Sequence, residues 1–402
     1  MKGIGHRSTL LPRVFSGTFA TAVALSCAST AASSSTMLDY EASFKTPWTD
    51  SAEGLHHLEH VNIYVPRHAP AKQLYYDVLG LAPDARRAQN IEKGSGTIWA
   101  NIGISQIHLP EGDPQVVPGR IGLVYTDLAD VVSRLKGANR DALEGTDFAW
   151  KVEDGGIVDV TCPYGNNFRL YKRKPVVDRS SDDAGPFDSR GGCLPSISHS
   201  GVGVGVGMPY VHFRVKPGTT AGIAQFYREM FGAEVEEVGA VGGDGDGGEA
   251  SCSAVRRILW GGGGGRDKGR GWEEGGGGVS QRAEAALAAG AVVRVGPVQH
   301  LGFWEGTEAL PEYDGHHICV YLSDEGFRRS FVEAERRGIV FVNPRRNFGK
   351  ADTLDKALEE KQYRIKDMVH PETGEVLHVL EHEIRSVSHP SYPVGRDLSV
   401  EP

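Results

Sequence analysis

The stretch Leu58–Gly80, LEHVNIYVPRHAPAKQLYYDVLG, decides the fold. Val61, Ile63 and Val65 alternate with His60, Asn62 and Tyr64, the two-residue period of a strand with one apolar and one polar face. A turn containing Pro66 follows. AKQLYYDVLG then places apolar residues at helical spacing and stops at Gly80, a natural helix C-cap. Strand, turn and helix recur in that order at Pro209–Glu237, PYVHFRVKPGTTAGIAQFYREMFGAEVEE, where the helix stops at Gly232.

Working outward, each half is itself doubled. GISQIHLPEGD (Gly103–Asp113) and GRIGLVYTDL (Gly119–Leu128) are alternating runs separated by a Pro and Gly loop. LADVVSRL is a short amphipathic helix, and GIVDVTCPYGNNFRLYKR (Gly156–Arg173) reads as a hairpin. The second half repeats them as VQHLGFWEG, GHHICVYLSD, GFRRSFVEAERRG and HPETGEVLHVLEHE. About 150 residues separate the two leading strands, an ordinary domain length. The spacing predicts one domain over 55–173, a linker over 174–207, a second domain over 208–385 and a tail over 386–402. The linker is rich in Ser, Asp, Gly and Pro. A glycine-rich insert over 240–280 interrupts the second domain and is expected to be disordered, because it offers no face to pack. It lacks the Gly-Lys-Ser/Thr ending of a phosphate-binding loop.

Composition narrows the function. The 402-residue chain is 40% hydrophobic and carries a formal charge of −9, with no basic stripe. That excludes a general nucleic-acid binder. Cys27, Cys162, Cys193, Cys252 and Cys319 form no CxxC pair, so neither a zinc ribbon nor a disulfide scaffold is expected. Residues 1–38 contain no acidic residue, carry Lys2, Arg7 and Arg13, and include an uncharged run from Val14 to Ala28. They read as a cleaved leader for the secretory pathway or for a plastid or other organelle, the alternative being a disordered tail on a cytoplasmic protein. At about fifteen residues the run is too short to span a bilayer, and no other segment could.

The stretch YDGHHICVYLSD, Tyr313–Asp324, holds two adjacent histidines. On a strand, His316 shares its face with Ile318, Val320 and Leu322, a face suited to a helix layer. His317 shares the other with Cys319 and Tyr321. Cys319 is expected to be a small buried apolar residue rather than a nucleophile.

With these pieces placed, the chain resembles the vicinal oxygen chelate superfamily, which includes glyoxalase I, bleomycin resistance proteins and extradiol dioxygenases. The residues carrying the resemblance are HVNIYV…LYYDVLGL, GRIGLVYTDL, CPYGNNFRLY, AQFYREMFGAEV, GHHICVYL and HPETGEVLHVLE. They cover about His57–Lys172 and Pro209–Glu383. The resemblance implies an α+β protein of tandem glyoxalase-like domains, with four βαβββ modules curling two by two into cup-shaped mixed sheets. Consecutive modules are expected to share a cup.

In that family a divalent metal sits inside the cup, held from first and last strands. Carried over by position, the first domain offers His60, His108, Arg120 and Arg169. Because arginine stays protonated and cannot ligate, that domain is expected to lack a metal. Its arginines could clamp an anion bidentately, or pair with local acids. The second domain offers Tyr210, Gly302, His317 and His378, with His212 and His300 facing the same way. The four histidines, His317, His378, His212 and His300, are the expected ligands for zinc, manganese or iron. No glutamate is expected at a last-strand ligand position, and Glu381 is placed at the exposed end of its strand. His60, His108, Arg120, Arg169 and Tyr210 are the expected contacts to a small-molecule ligand. The implied function is binding, and with a metal transforming, a small polar or anionic organic molecule, as a lyase or dioxygenase. The alternative is a non-catalytic sequestering protein of the bleomycin-resistance type. A monomer suffices, since both halves of each cup lie on one chain.

Overall fold

Four sequence blocks fold into four copies of one module, a strand and a helix followed by an antiparallel set whose last strand returns parallel to the first. The structure, a computed structural model, describes residues 53–138, 142–172, 205–239, 289–344 and 350–392, with two short strands at 197–198 and 201–202. The expected leader, the glycine-rich insert and most of the linker lie outside the described residues. No helix among the described residues is long and apolar enough to cross a membrane.

In module one, β1 (Leu55–Asn62) is followed by a helical segment over 68–78, then β2 (Ala82–Pro83), β3 (Thr97–Ile102) and β4 (Ser105–Pro110). Module two comprises β5 (Gly119–Tyr125), helix Ala129–Gly137, β6 (Ala149–Val152), β7 (Val158–Thr161) and β8 (Asn167–Lys172). The short strands β9 (Ile197–Ser198) and β10 (Gly201–Val202) pair only with each other in a separate two-stranded sheet. Module three has β11 (Gly205–Val215), helix Thr220–Phe231, β12 (Val235–Val238), β13 (Gly290–Val295) and β14 (Gln299–Glu305). Module four has β15 (His317–Leu322), helix Asp324–Arg336, helix Leu354–Glu360, β16 (Gln362–Val369) and β17 (Val376–Ser386). Its remaining strand is reduced to a single bridge between Val340 and Ile365.

Local chemistry sets these elements. Gly232 ends its helix at φ 64, a left-handed geometry that a side chain would strain, and its N–H bonds the Arg228 carbonyl. Helix Asp324–Arg336 starts on Ser323, whose hydroxyl accepts from Gly326 N–H, with Asp324 and Glu325 in the first turn. Val61, Ile63, Phe213, Ile318 and Ile384 all belong to the continuous apolar core.

The pairing of modules differs from the sequence expectation. β1 pairs antiparallel with β15, and β5 pairs antiparallel with β11. Module one therefore shares a cup with module four, and module two with module three. We call these the outer and inner cups. The loops that exchange partners lie side by side: Gln115 Nε2 donates to the Asp314 carbonyl at 2.9 Å, and Val116 N–H donates to Asp314 Oδ2 at 2.6 Å. The eight residues between β4 and β5 can span roughly 26 Å when extended, enough to carry the chain from one cup to the other. Sequence adjacency gave no signal for this exchange. One bridge between Leu55 and Val295 joins the two cups into a 15-stranded sheet.

Candidate metal and ligand site

The outer cup brings together residues from opposite ends of the chain. His60 lies on β1 directly across from Cys319 on β15. The ladder slips between Leu58 and His60, so Glu59 is an extra residue on β1. Such a bulge turns consecutive side chains toward one side. Glu59 Oε2 therefore reaches His60 Nδ1 at 3.1 Å. An ionised carboxylate only accepts, so Nδ1 carries the proton and Nε2 presents its lone pair. That Nε2 is buried with no hydrogen-bond partner and lies 3.9 Å from Glu383 Oε2. His317 Nε2 lies 3.6 Å from the same oxygen.

The rest of the cup holds this cluster in place. Glu383 Oε2 accepts from Arg364 Nη2, and Glu383 Oε1 pairs with Arg385 Nη2 at 2.5 Å. Arg364 Nη1 donates to Glu381 Oε1 at 2.5 Å, and Asn343 Nδ2 also reaches Glu381. Arg385 Nη1 donates to Glu59 Oε2 at 2.5 Å, and Tyr321 OH donates to Glu59 Oε1 at 3.1 Å. Three carboxylates against two guanidiniums leave one formal negative charge, a surplus that suits a cation. Although burial pushes the Glu59 and Glu383 carboxyls up, the nearby arginines hold both well below the usual range. Burial lowers His60, so its imidazole is neutral, as a ligand must be. It also raises the Cys319 thiol well above its ordinary value.

One wall is aromatic. His108 stacks on His60 at 3.8 Å between centroids, and Trp99 stacks on His108 at 4.3 Å. Arg87 lies over Trp99 at 3.9 Å and Arg86 at 4.6 Å. A polar relay fixes the His108 tautomer. Gln106 Nε2 donates to Asp84 Oδ2 at 2.8 Å, which leaves Gln106 Oε1 to accept from His108 Nε2 at 2.9 Å. His108 Nδ1 then carries the lone pair.

These donors fit a transition metal. Among the described residues, His60, His317 and Glu383 form a buried group with donor atoms within 4.8 Å of one another. Around an ion with bonds near 2.1 Å, donors sit roughly 3.0–3.4 Å apart. The 3.6 and 3.9 Å separations need only a small contraction. Two imidazoles and a carboxylate suit zinc, manganese or iron. Glu383 keeps lone pairs beyond the two that its arginines occupy.

The four histidines expected to converge are instead divided among three places. His317 is in the outer cup. His378 stands in step with Leu380, His382 and Ile384, which face the helices, and its ring lies 6.3 Å from Phe213 and from Phe303. Burial lowers it to about 4. Glu381, Glu383 and Arg385 take the opposite, cup-facing positions, so Glu381 is buried rather than exposed. From Leu380 onward alternation sends Leu380, His382 and Ile384 to the helices. The β16–β17 ladder slips between His382 and Val379, and His378 beyond the slip packs on Phe213 and Phe303. His316 is placed as its apolar neighbours imply, buried and 6.3 Å from Phe213, with Nδ1 2.7 Å from Asp314 Oδ1.

His212 and His300 lie in the inner cup with Tyr210, Arg120 and Arg169. His212 Nε2 is 3.0 Å from His300 Nε2. Tyr210 stacks on His212 at 4.0 Å and its hydroxyl meets that of Tyr171 at 2.6 Å. Own side chains fill this cup: a Cβ on Gly122 would lie 2.5 Å from the Tyr210 ring, and one on Gly302 would lie 2.5 Å from the His212 ring. Arg169 forks onto Asp159 with two bonds of 2.6 Å, so its anion partner is internal. Arg120 lies beside His212 in the β5–β11 ladder. His60 and His108, placed by sequence in a metal-free domain, belong to the cup that carries the metal-capable group.

The fold is that of the vicinal oxygen chelate superfamily. That assignment rests on the four βαβββ modules and their strand order. No protein-family model matches the chain, and no curated protein matches it. Among solved structures it is similar to glyoxalase I from Zea mays, at 10% identity and a TM-score of 0.42, covering 82% of this chain and 92% of that one. A provisionally assigned dioxygenase from Bacillus subtilis is similar at 14% identity and a TM-score of 0.42, covering 83% of this chain and 86% of that one. A provisionally assigned glyoxalase family protein from Bacillus anthracis covers 30% of this chain and 97% of its own, at 14% identity and a TM-score of 0.23.

Proposed function

We propose that the outer cup holds a divalent transition metal at His60, His317 and Glu383 and binds a small polar or anionic organic molecule beside it. The observation that carries this reading is His60 Nε2, a buried lone pair with no hydrogen-bond partner, aimed at a carboxylate and a second imidazole. Leaving such a group unsatisfied costs about 1–3 kcal/mol, a penalty an ion would remove. When bound, the ion would supply Lewis-acid chemistry, polarising oxygens of the ligand.

The chain's own residues have separable roles. Glu59 fixes the His60 tautomer, the carboxylate–histidine arrangement that orients metal ligands. Arg364 and Arg385 hold the Glu383 carboxylate. Trp99 and His108 stack between His60 and the guanidiniums of Arg86 and Arg87, so their ring edges are what an organic ligand would meet. His108 Nδ1, its proton held on the other nitrogen by Gln106, can accept a proton or hydrogen bond from a ligand at that edge.

A second reading is favoured by the two arginines on Glu383, which compensate its charge without any ion. On that reading the chain is a metal-free binding module of the sequestering type. Metal content of untagged protein, reconstituted separately with zinc, manganese and iron, separates the two. The metal reading expects about one ion per chain, lost in His317→Ala and kept in His316→Ala. If wild-type protein takes up none of the three, the metal reading fails and the binding module stands.

A further inference from the structure

We propose that the outer cup contains a second coordination position, on the opposite edge of the His60 ring, built from Glu59, His60 Nδ1 and Cys319 and selective for a thiophilic ion such as Cd²⁺. The three residues are buried, and their donor atoms lie within 4.8 Å of one another. Cys319 is the cross-strand partner of His60. Glu59 Oε2 already sits 3.1 Å from Nδ1. The position is distinct from the one proposed above, because Nδ1 faces Glu59 whereas Nε2 faces Glu383. It is also chemically distinct. A thiolate donor selects soft ions, whereas imidazole and carboxylate alone suit manganese or iron.

The proton balance makes the two positions exclusive. An ion at the second position replaces the proton between Nδ1 and Glu59, and that proton moves to Nε2, keeping the imidazole neutral. The Cys319 thiol proton leaves to solvent as the metal–sulfur bond forms. Nε2 then bears hydrogen toward Glu383 and has no lone pair for a second ion. One imidazole with two tautomers thus offers two sites, one at a time. A thiophilic ion would act on this cup as an antagonist of the other metal.

The existence of the second position does not rest on the function proposed above. Only its exclusion of the other ion does. The test uses full-length protein with Cys27, Cys193 and Cys252 changed to serine, titrated with Cd²⁺ and followed by thiolate-to-metal charge-transfer absorption. The band should saturate at one ion per chain, vanish in Cys319→Ser and Cys319→Ala, and need at least tenfold more Cd²⁺ in His60→Gln. His317→Ala, which removes a ligand of the other position, should keep the band. Where Mn²⁺ binds, saturating Mn²⁺ should weaken Cd²⁺ uptake. Absence of a stoichiometric band in protein with native near-UV circular dichroism overturns the proposal. So does a band indifferent to His60→Gln, whereas a band unchanged by bound Mn²⁺ overturns the mutual exclusion of the two ions.

Discussion

Arg364→Met is expected to destabilise the protein by about 3–5 kcal/mol, the range for breaking a buried ion pair from one side. Arg364 is 1% exposed, and it bonds Glu381 through one arm and Glu383 through the other. Methionine fills much of the volume but leaves the cup with three buried carboxylates and one guanidinium. The comparison is Lys356→Met. Both Lys356 and its partner Asp352 are exposed to solvent, so the loss should be far smaller than for Arg364→Met. Urea denaturation of both variants at pH 7 decides the matter. A loss below about 1 kcal/mol for Arg364→Met would mean that the carboxylates do not depend on it.

From His300, His378 and His382 alone, acidification from pH 7 to pH 5 is expected to lower the folding free energy by about 6 kcal/mol. Burial lowers His300 to about 3, and His378 and His382 to about 4, from an ordinary value of 6.5. The unfolded chain therefore takes up protons below pH 6.5 that the folded chain refuses. Stability from these groups is full above the unfolded pKa and is lost as pH falls toward the folded one. Each pH unit in that window costs about 1.4 kcal/mol per histidine, hence about 2 kcal/mol each down to pH 5. The bonding agrees at His382, where Tyr227 OH donates to Nε2 and Nδ1–H donates to the Leu380 carbonyl. Urea midpoints that are flat between pH 7 and pH 5 would show these imidazoles titrating normally in the fold.

The module repeat was legible because alternation and helix stops are local. Val61 and Ile63 against His60 and Asn62, closed by Gly80, specify strand and helix without any tertiary information. The partner of each module was not legible. β1 finds β15 rather than β5, and that choice depends on where two inter-module loops meet at Gln115 and Asp314. His317 was placed correctly toward its cup by the same parity argument that sent His316 to the helices. Applied to LEHEIRS, Leu380–Ser386, the argument also separates Glu381, Glu383 and Arg385 from Leu380, His382 and Ile384. The ligand position carried over from the resemblance fell on His378 and pointed to the wrong face. Glu59 carried no signal at all, since a bulge breaks the period on which such reasoning stands.

The direct test of the shared cup is metal stoichiometry, by inductively coupled plasma mass spectrometry, in Glu383→Gln and His378→Gln after reconstitution with Mn²⁺. Glu383→Gln removes the carboxylate that faces His60 and His317, while His378→Gln alters a residue packed against Phe213 and Phe303. The metal should fall from about one ion per chain to near zero in Glu383→Gln and stay near one in His378→Gln. The opposite pattern, retention in Glu383→Gln with loss in His378→Gln, would contradict the site.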